Sequence, residues 1–343
     1  MSEQNPTLEE WRGLYDAAMR VKELAPWEWM TEEDLFGVQD PETGELGFVS
    51  VMGALGEHYS VAVYLGARAL YDFLALEEAG DIAPPESILE IPQLQASFED
   101  RDVLRDQDRQ VIKQLGLKFR GRNAWPLFRS YRPGYFPWHL EADEARYLTV
   151  VLEQVLDVAP RFRDDPALLI TDDDESYLVR VARRKGKALH WEDQIIEVPP
   201  PEHPPIQLMM DIPLLEKLKQ SSRRVSRIEM DFFMFPVPFQ EERGARPQFA
   251  YMLLTVEAQS GFVLGSDLLK PEPTLESMWG QVPMYAVRHF ATLGVVPQEV
   301  AVRSGLLFHL LKPLAEELHF TLKPSYSLRA LDNAKDFLLD RFI

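Results

Sequence analysis

The sequence predicts an α+β domain followed by an α/β domain. Three observations point there. Hairpins and helices alternate irregularly as far as residue 198. From Arg227 the apolar runs fall into the regular order strand, strand, strand, helix, strand, helix, strand, helix, that is βββαβαβα. Between the two lies PPPEHPP (199–205), a Pro-rich stretch typical of a linker, followed by a bridging helix over DIPLLEKLKQSS. The expected division is an N-terminal α+β domain over 1–198, a linker with its helix over 199–222, and a second domain over 223–343. A chain of 343 residues is long enough for two separate cores.

Taken in order, Thr7 to Leu24 reads as the first helix. Leu8, Trp11, Leu14, Tyr15, Ala18 and Met19 fall near helical spacing, and Thr7 with Glu10 has the form of a capping box. Trp27 and Trp29 follow; they could form an aromatic binding wall, but as part of a hydrophobic seam they are read as core. LFGVQDPETGELGFVSVMG predicts a hairpin turning over Asp40 to Gly44, and YSVAVYLG a third strand, with His58 in the turn before it. GARALYDFLALEEAG is helical and stops at Gly80. With a further strand near Leu94 to Phe98, this gives a small antiparallel sheet backed by helices.

DQDRQVIKQLG predicts a short helix. After it, LKFRGRNAWPLFRSYRPGYFPWHL interleaves Lys118, Arg120, Arg122, Arg129 and Arg132 with aromatics that include Trp125. That pattern suits single-stranded nucleic acid, held by stacking and phosphate contacts. It equally suits arginines stacked on aromatics or paired with nearby carboxylates, and Pro126, Pro133 and Pro137 favour a winding segment. EADEARYLTVVLEQVLDVAPRF is a packing helix with acidic residues in its first turn. Residues 177–198 form a hairpin closed near Lys185-Gly186-Lys187. Its basic run (Arg180, Arg183, Arg184, Lys185, Lys187) is expected to pair locally with TDDDE (171–175).

In the second domain, RIEMDFFMF, AYMLLTVEA and GFVLGSDLL are three successive strands, with Asp231 set among aromatics in the first. A helix interrupted by Pro283, the strand PQEVAVRS, a second helix, the strand FTLKPSYS and the helix LRALDNAKDFLLDRF complete it. An acidic residue in mid-strand, a third strand entered through Ser260-Gly261, and a helix preceding Gly294-Val295-Val296-Pro297-Gln298-Glu299-Val300 together resemble the ribonuclease-H-like fold of integrases and transposases. The resemblance covers roughly 225–343. The whole chain also resembles an uncharacterised bacterial family in which such a domain follows an α+β domain.

The resemblance implies a carboxylate cluster holding two Mg²⁺ or Mn²⁺ ions about 4 Å apart. Asp231 matches the first position. The second, after the fourth strand, reads Val302-Arg303-Ser304-Gly305, with a cation where an acid belongs. Asp332 and Asp336 share a helix face and compete for the third position. Two readings stay open: a degenerate site in which Asp231 pairs with Arg303, and a metal-dependent nuclease using Asp231 with Asp332 or Asp336. The first makes the protein a non-enzymatic binding or scaffold protein without cofactor; a metal is called for only by the second.

Composition narrows the rest. Residues 224–343 hold 12 Lys+Arg against 14 Asp+Glu, which leaves 24 against 41 in 1–223. The net charge of −19 disfavours nucleic acid as a partner and leaves a protein or a small ligand open. The absence of cysteine excludes disulfides and thiolate chemistry. An acidic, polar N-terminal stretch and no long apolar run point to a cytoplasmic protein away from membranes.

Overall fold

The computed structural model describes residues 5–80, 84–185, 188–202, 205–222, 224–240 and 244–340. They form two compact units: residues 1–133 with 137–202, and residues 134–136 with 203–343.

In the first unit, α1 (Leu8–Leu24) begins at a capping box between Thr7 and Glu10. Strands β1 (Phe36–Gln39), β2 (Leu46–Met52), β3 (Tyr59–Leu65), β4 (Gln93–Glu99) and β5 (Trp125–Tyr131) follow, with α2 (Gly66–Ala79) after β3 and α3 (Asp106–Gln114) after β4. The long α4 (Ala142–Asp164) leads to the hairpin of β6 (Ser176–Lys185) and β7 (Ala188–Glu197). Gly186 and Lys187, in the expected turn, lie outside the described residues.

The sheet runs β5-β4-β3-β2-β1-β6-β7. It is larger than the small antiparallel sheet the sequence suggested, and mixed, because the hairpin joins it through a parallel β1–β6 pairing. Gly37 permits that approach, since a Cβ there would stand 2.7 Å from Val179 Cγ2. Strand alternation separates two cores. Val49, Val51, Val61 and Val63 pack with α1 and α4, and Phe48, Ala62 and Tyr64 pack with α2 through Leu70 and Phe73. Trp27 is buried in the first core, and Trp29 donates its indole N–H to Ala159 O at 2.9 Å.

The stretch expected to wind over a core instead contributes β5, an edge strand paired along its whole length with β4. Pro126 is tolerated because an edge strand leaves one side free of ladder bonds.

The second unit contains α5 (Ile212–Lys219), β8 (Arg224–Phe239), β9 (Gln248–Glu257), β10 (Val263–Leu269), α6 (Leu275–Leu293), β11 (Val296–Val302), α7 (Gly305–Leu318), β12 (Thr321–Pro324) and α8 (Arg329–Leu339). Its sheet runs β10-β9-β8-β11-β12. The pairs β8–β9 and β9–β10 are antiparallel, while β8–β11 and β11–β12 are parallel. Pro283 does not interrupt α6; a proline inside a helix removes one backbone donor, and packing on the sheet outweighs that loss. Leu328, at the start of α8, and Leu331 within it pack in one cluster with Phe233, Met252 and Leu254.

Candidate functional site

Strand alternation puts Glu229, Asp231 and Phe233 on the α8 face of β8. The parallel register aligns Val302 with Met230, so Arg303, the residue after β11, arrives beside Asp231. Its guanidinium bridges two carboxylates. Arg303 Nη1 donates to Asp231 Oδ2 at 3.3 Å, and Nη2 donates to Asp332 Oδ1 at 2.5 Å. Asp231 Oδ1 also accepts the Phe232 N–H at 3.0 Å.

Asp231 is 4% exposed. Burial pushes its carboxyl above the usual range, more than Arg303 and Lys335 pull it down. For Arg303, burial opposes the charge, but the Asp332 hydrogen bond and the charges of Asp231, Asp332 and Glu229 hold its pKa above the ordinary value. Lys335 adds positive charge to this end of the sheet, with its ammonium 3.9 Å from the centroid of the Phe233 ring. Glu229 serves another purpose. Its Oε2 accepts the Ala330 and Leu331 N–H groups at 2.9 and 3.0 Å, capping α8 where the helix dipole favours an anion.

The structure therefore brings Asp231, Arg303 and Asp332 together and leaves Asp336 exposed, one turn further along α8. The Arg303 guanidinium stands between the two carboxylates and neutralises both. Among the described residues, no three His, Cys, Asp or Glu side chains gather in a metal-binding group.

The basic and aromatic residues of 118–138 are dispersed rather than aligned. Arg129 is buried and bidentate to Asp108, Nη1 to Oδ1 at 2.9 Å and Nη2 to Oδ2 at 2.7 Å. His139 Nδ1 stands 3.4 Å from the same carboxylate. Burial raises the Asp108 carboxyl, but Arg129 and His139 together hold it far below the usual range. Arg132 bridges Glu141 and Glu144. Arg120 is exposed, and Arg122 is 91% exposed with only a 3.8 Å approach to Asp100. Trp125 is half-buried, edge-on to Phe119 at 5.7 Å between centroids and approached by the Arg101 guanidinium at 5.8 Å.

A second buried polar group has no sequence motif behind it. His289 on α6 lies between Thr255 of β9 and Asp267 of β10, with Nδ1 to Thr255 Oγ1 at 2.7 Å and Nε2 to Asp267 Oδ2 at 2.5 Å. The carboxylate needs a donor, which places the ring proton on Nε2 and makes the threonine hydroxyl the donor to Nδ1. Gly265 makes the room: a Cβ there would fall 2.1 Å from His289 Cδ2. Thr255 is fully buried, so this is an internal hydrogen-bonded chain and not an exposed nucleophile.

Burial holds the His289 pKa below its ordinary value against the pull of Asp267. Folding then disfavours its protonation, and stability falls as the pH drops below about 6.5, toward the lower folded value. Thermal unfolding at pH 7 and pH 5 should show a smaller acid-induced drop for His289→Gln than for the parent. An equal drop would assign the acid sensitivity to other groups.

Comparison with known families adds the following. Residues 11–180 match the family model of a domain of unknown function, DUF7309. Residues 214–339 match that of a second domain of unknown function, DUF6930. The two matches fall on an N-terminal and a C-terminal part of the chain, both of mixed α and β structure. No curated protein matches it. Among the described residues no helix is long and apolar enough to cross a membrane.

Proposed function

We propose that the protein is a soluble, cytoplasmic, non-enzymatic binding or scaffold protein, with an N-terminal domain to residue 198, a linker over 199–222 and a degenerate ribonuclease-H-like domain over 223–343. The strand order β10-β9-β8-β11-β12, three antiparallel strands with two added in parallel through helices, supports that assignment of the second domain. The observation that carries the functional reading is the Arg303 guanidinium between Asp231 and Asp332. A cationic side chain in that position repels a metal ion, and without the ion phosphoryl transfer loses both its nucleophile activation and its charge clamp. Fold alone assigns no activity, so the reading rests on this site.

The test is direct. Purified protein incubated with Mg²⁺ or Mn²⁺ should leave RNA–DNA hybrid and single-stranded DNA intact. Metal-dependent cleavage that disappears in Asp231→Asn would overturn the proposal in favour of a nuclease.

A further inference from the structure

A cleft of about 440 Å³ opens between α1 and α3 of the N-terminal unit. That volume is in the range of small-molecule sites. Leu8 and Trp11 line it from α1, Gln107, Gln110 and Gln114 line it from α3, and Asn5 adds a fourth carboxamide. The glutamines are spaced i, i+3 and i+7, so they share one face of the helix. All three are exposed, and among the described residues none is committed to another side chain or to backbone.

No residue lining the cleft is charged, in a chain of which 27% of the residues are. The charged side chains of α1 and α3 beside it have partners elsewhere. Glu10 pairs with Arg146 at 2.8 Å, Arg109 with Asp106 at 2.5 Å and Asp108 with Arg129 at 2.7 Å. Arg12 donates to Leu115 O at 3.1 Å, which ties α1 to the end of α3. At the start of α3, Asp108 accepts the Arg105 N–H at 2.9 Å. The two walls are therefore fixed before any ligand arrives, which lowers the ordering cost of binding.

We propose that this cleft binds a neutral mono- or disaccharide, a reading independent of that of Arg303. A phosphate, carboxylate or ammonium group would find no counter-charge in it, and a wholly apolar ligand would strip water from the carboxamides without replacing it. A sugar hydroxyl both donates and accepts, as a carboxamide does. The ring of a sugar also offers a C–H face, weakly positive, which suits the negative face of an indole. Trp11 is half-buried, with Tyr15 and Phe128 at 6.4 and 6.1 Å between centroids, so the core holds the ring that borders the cleft.

The experiment is saturation-transfer NMR of the full chain with cellobiose, maltose, lactose and trehalose in turn. At least one should receive saturation, most strongly at its ring C–H protons, with a Kd on the order of 1 mM. The same sugar should move the Trp11 indole N–H resonance, assigned with Trp11→Phe. Gln110→Ala with Gln114→Ala should weaken binding at least fivefold; alanine is the better helix former, so α3 survives the change. Gln259→Ala, on an exposed turn of the other unit, should leave binding within twofold. Absence of transfer to all four sugars, transfer undiminished in the double glutamine variant, or a capped neutral tripeptide that moves the Trp11 resonance at equal affinity would overturn the proposal.

Discussion

Replacing Arg129 with alanine will lower the stability of the N-terminal unit by about 3–5 kcal/mol, the range for leaving a buried charge without its partner. Asp108 and Arg129 are both almost wholly buried, and the carboxylate stays ionised because the guanidinium and His139 hold it so. Urea denaturation followed by tryptophan fluorescence reports on this unit, which holds six of the seven tryptophans. The double variant Asp108→Leu with Arg129→Met should lose less than Arg129→Ala, because neither charge is left alone. Acid has the same target. The depressed Asp108 pKa contributes stability above the ordinary carboxylate range near pH 4, and that stability is lost as pH falls toward the folded value. A loss below 1 kcal/mol in Arg129→Ala would show the pair to be replaceable by water.

Arg303→Ala is expected to destabilise the C-terminal unit by about 1–3 kcal/mol at pH 7, less than a fully buried pair because a third of Arg303 is exposed. The sign of its pH dependence is the sharper test. Asp231 already has a raised folded pKa, so its contribution is full below about pH 4 and declines as pH rises. Without Arg303 the buried carboxylate loses its counter-charge and the decline steepens. Chemical denaturation of this variant at pH 5 and pH 8 should show a larger difference than the parent, and adding Asp231→Asn should remove most of the excess. An unchanged difference would mean that Lys335 alone compensates Asp231.

The pairing of Asp231 with Arg303 was legible in the sequence because it needs only strand order. If the first and fourth strands of the domain run parallel side by side, an acid in one and a base at the end of the other meet. The helix caps and hairpins were legible for the same local reason, since Thr7 and Glu10, or Asp40 and Gly44, act over a few residues. The ion pairs of the N-terminal unit were not. Arg129 on β5 finds Asp108 on α3, 21 residues earlier in the chain, and no spacing rule singles out that carboxylate among 41 acids. His289 is similarly hidden, because Thr255, Asp267 and His289 lie on three elements that only the sheet and α6 bring together. Proximity along the chain misled at the β6–β7 hairpin, where Arg180 pairs with Asp157 and Asp193 and not with the acids of 171–175. The mixed sheet was missed because a parallel neighbour leaves no turn signal of its own.

The capping of α8 by Glu229 has a consequence for the order of events during synthesis. The acid that satisfies the helix belongs to the first strand of its sheet, and the amides it accepts are made 101 residues later. Until they emerge, Glu229 stays in water and the α8 face of β8 and β9 lacks Leu328 and Leu331. A nascent chain arrested before residue 328 therefore presents Phe233, Phe235, Met252 and Leu254 uncovered, the kind of surface that chaperones hold. Closure of the domain waits on a helix whose first turn already has its anion in place.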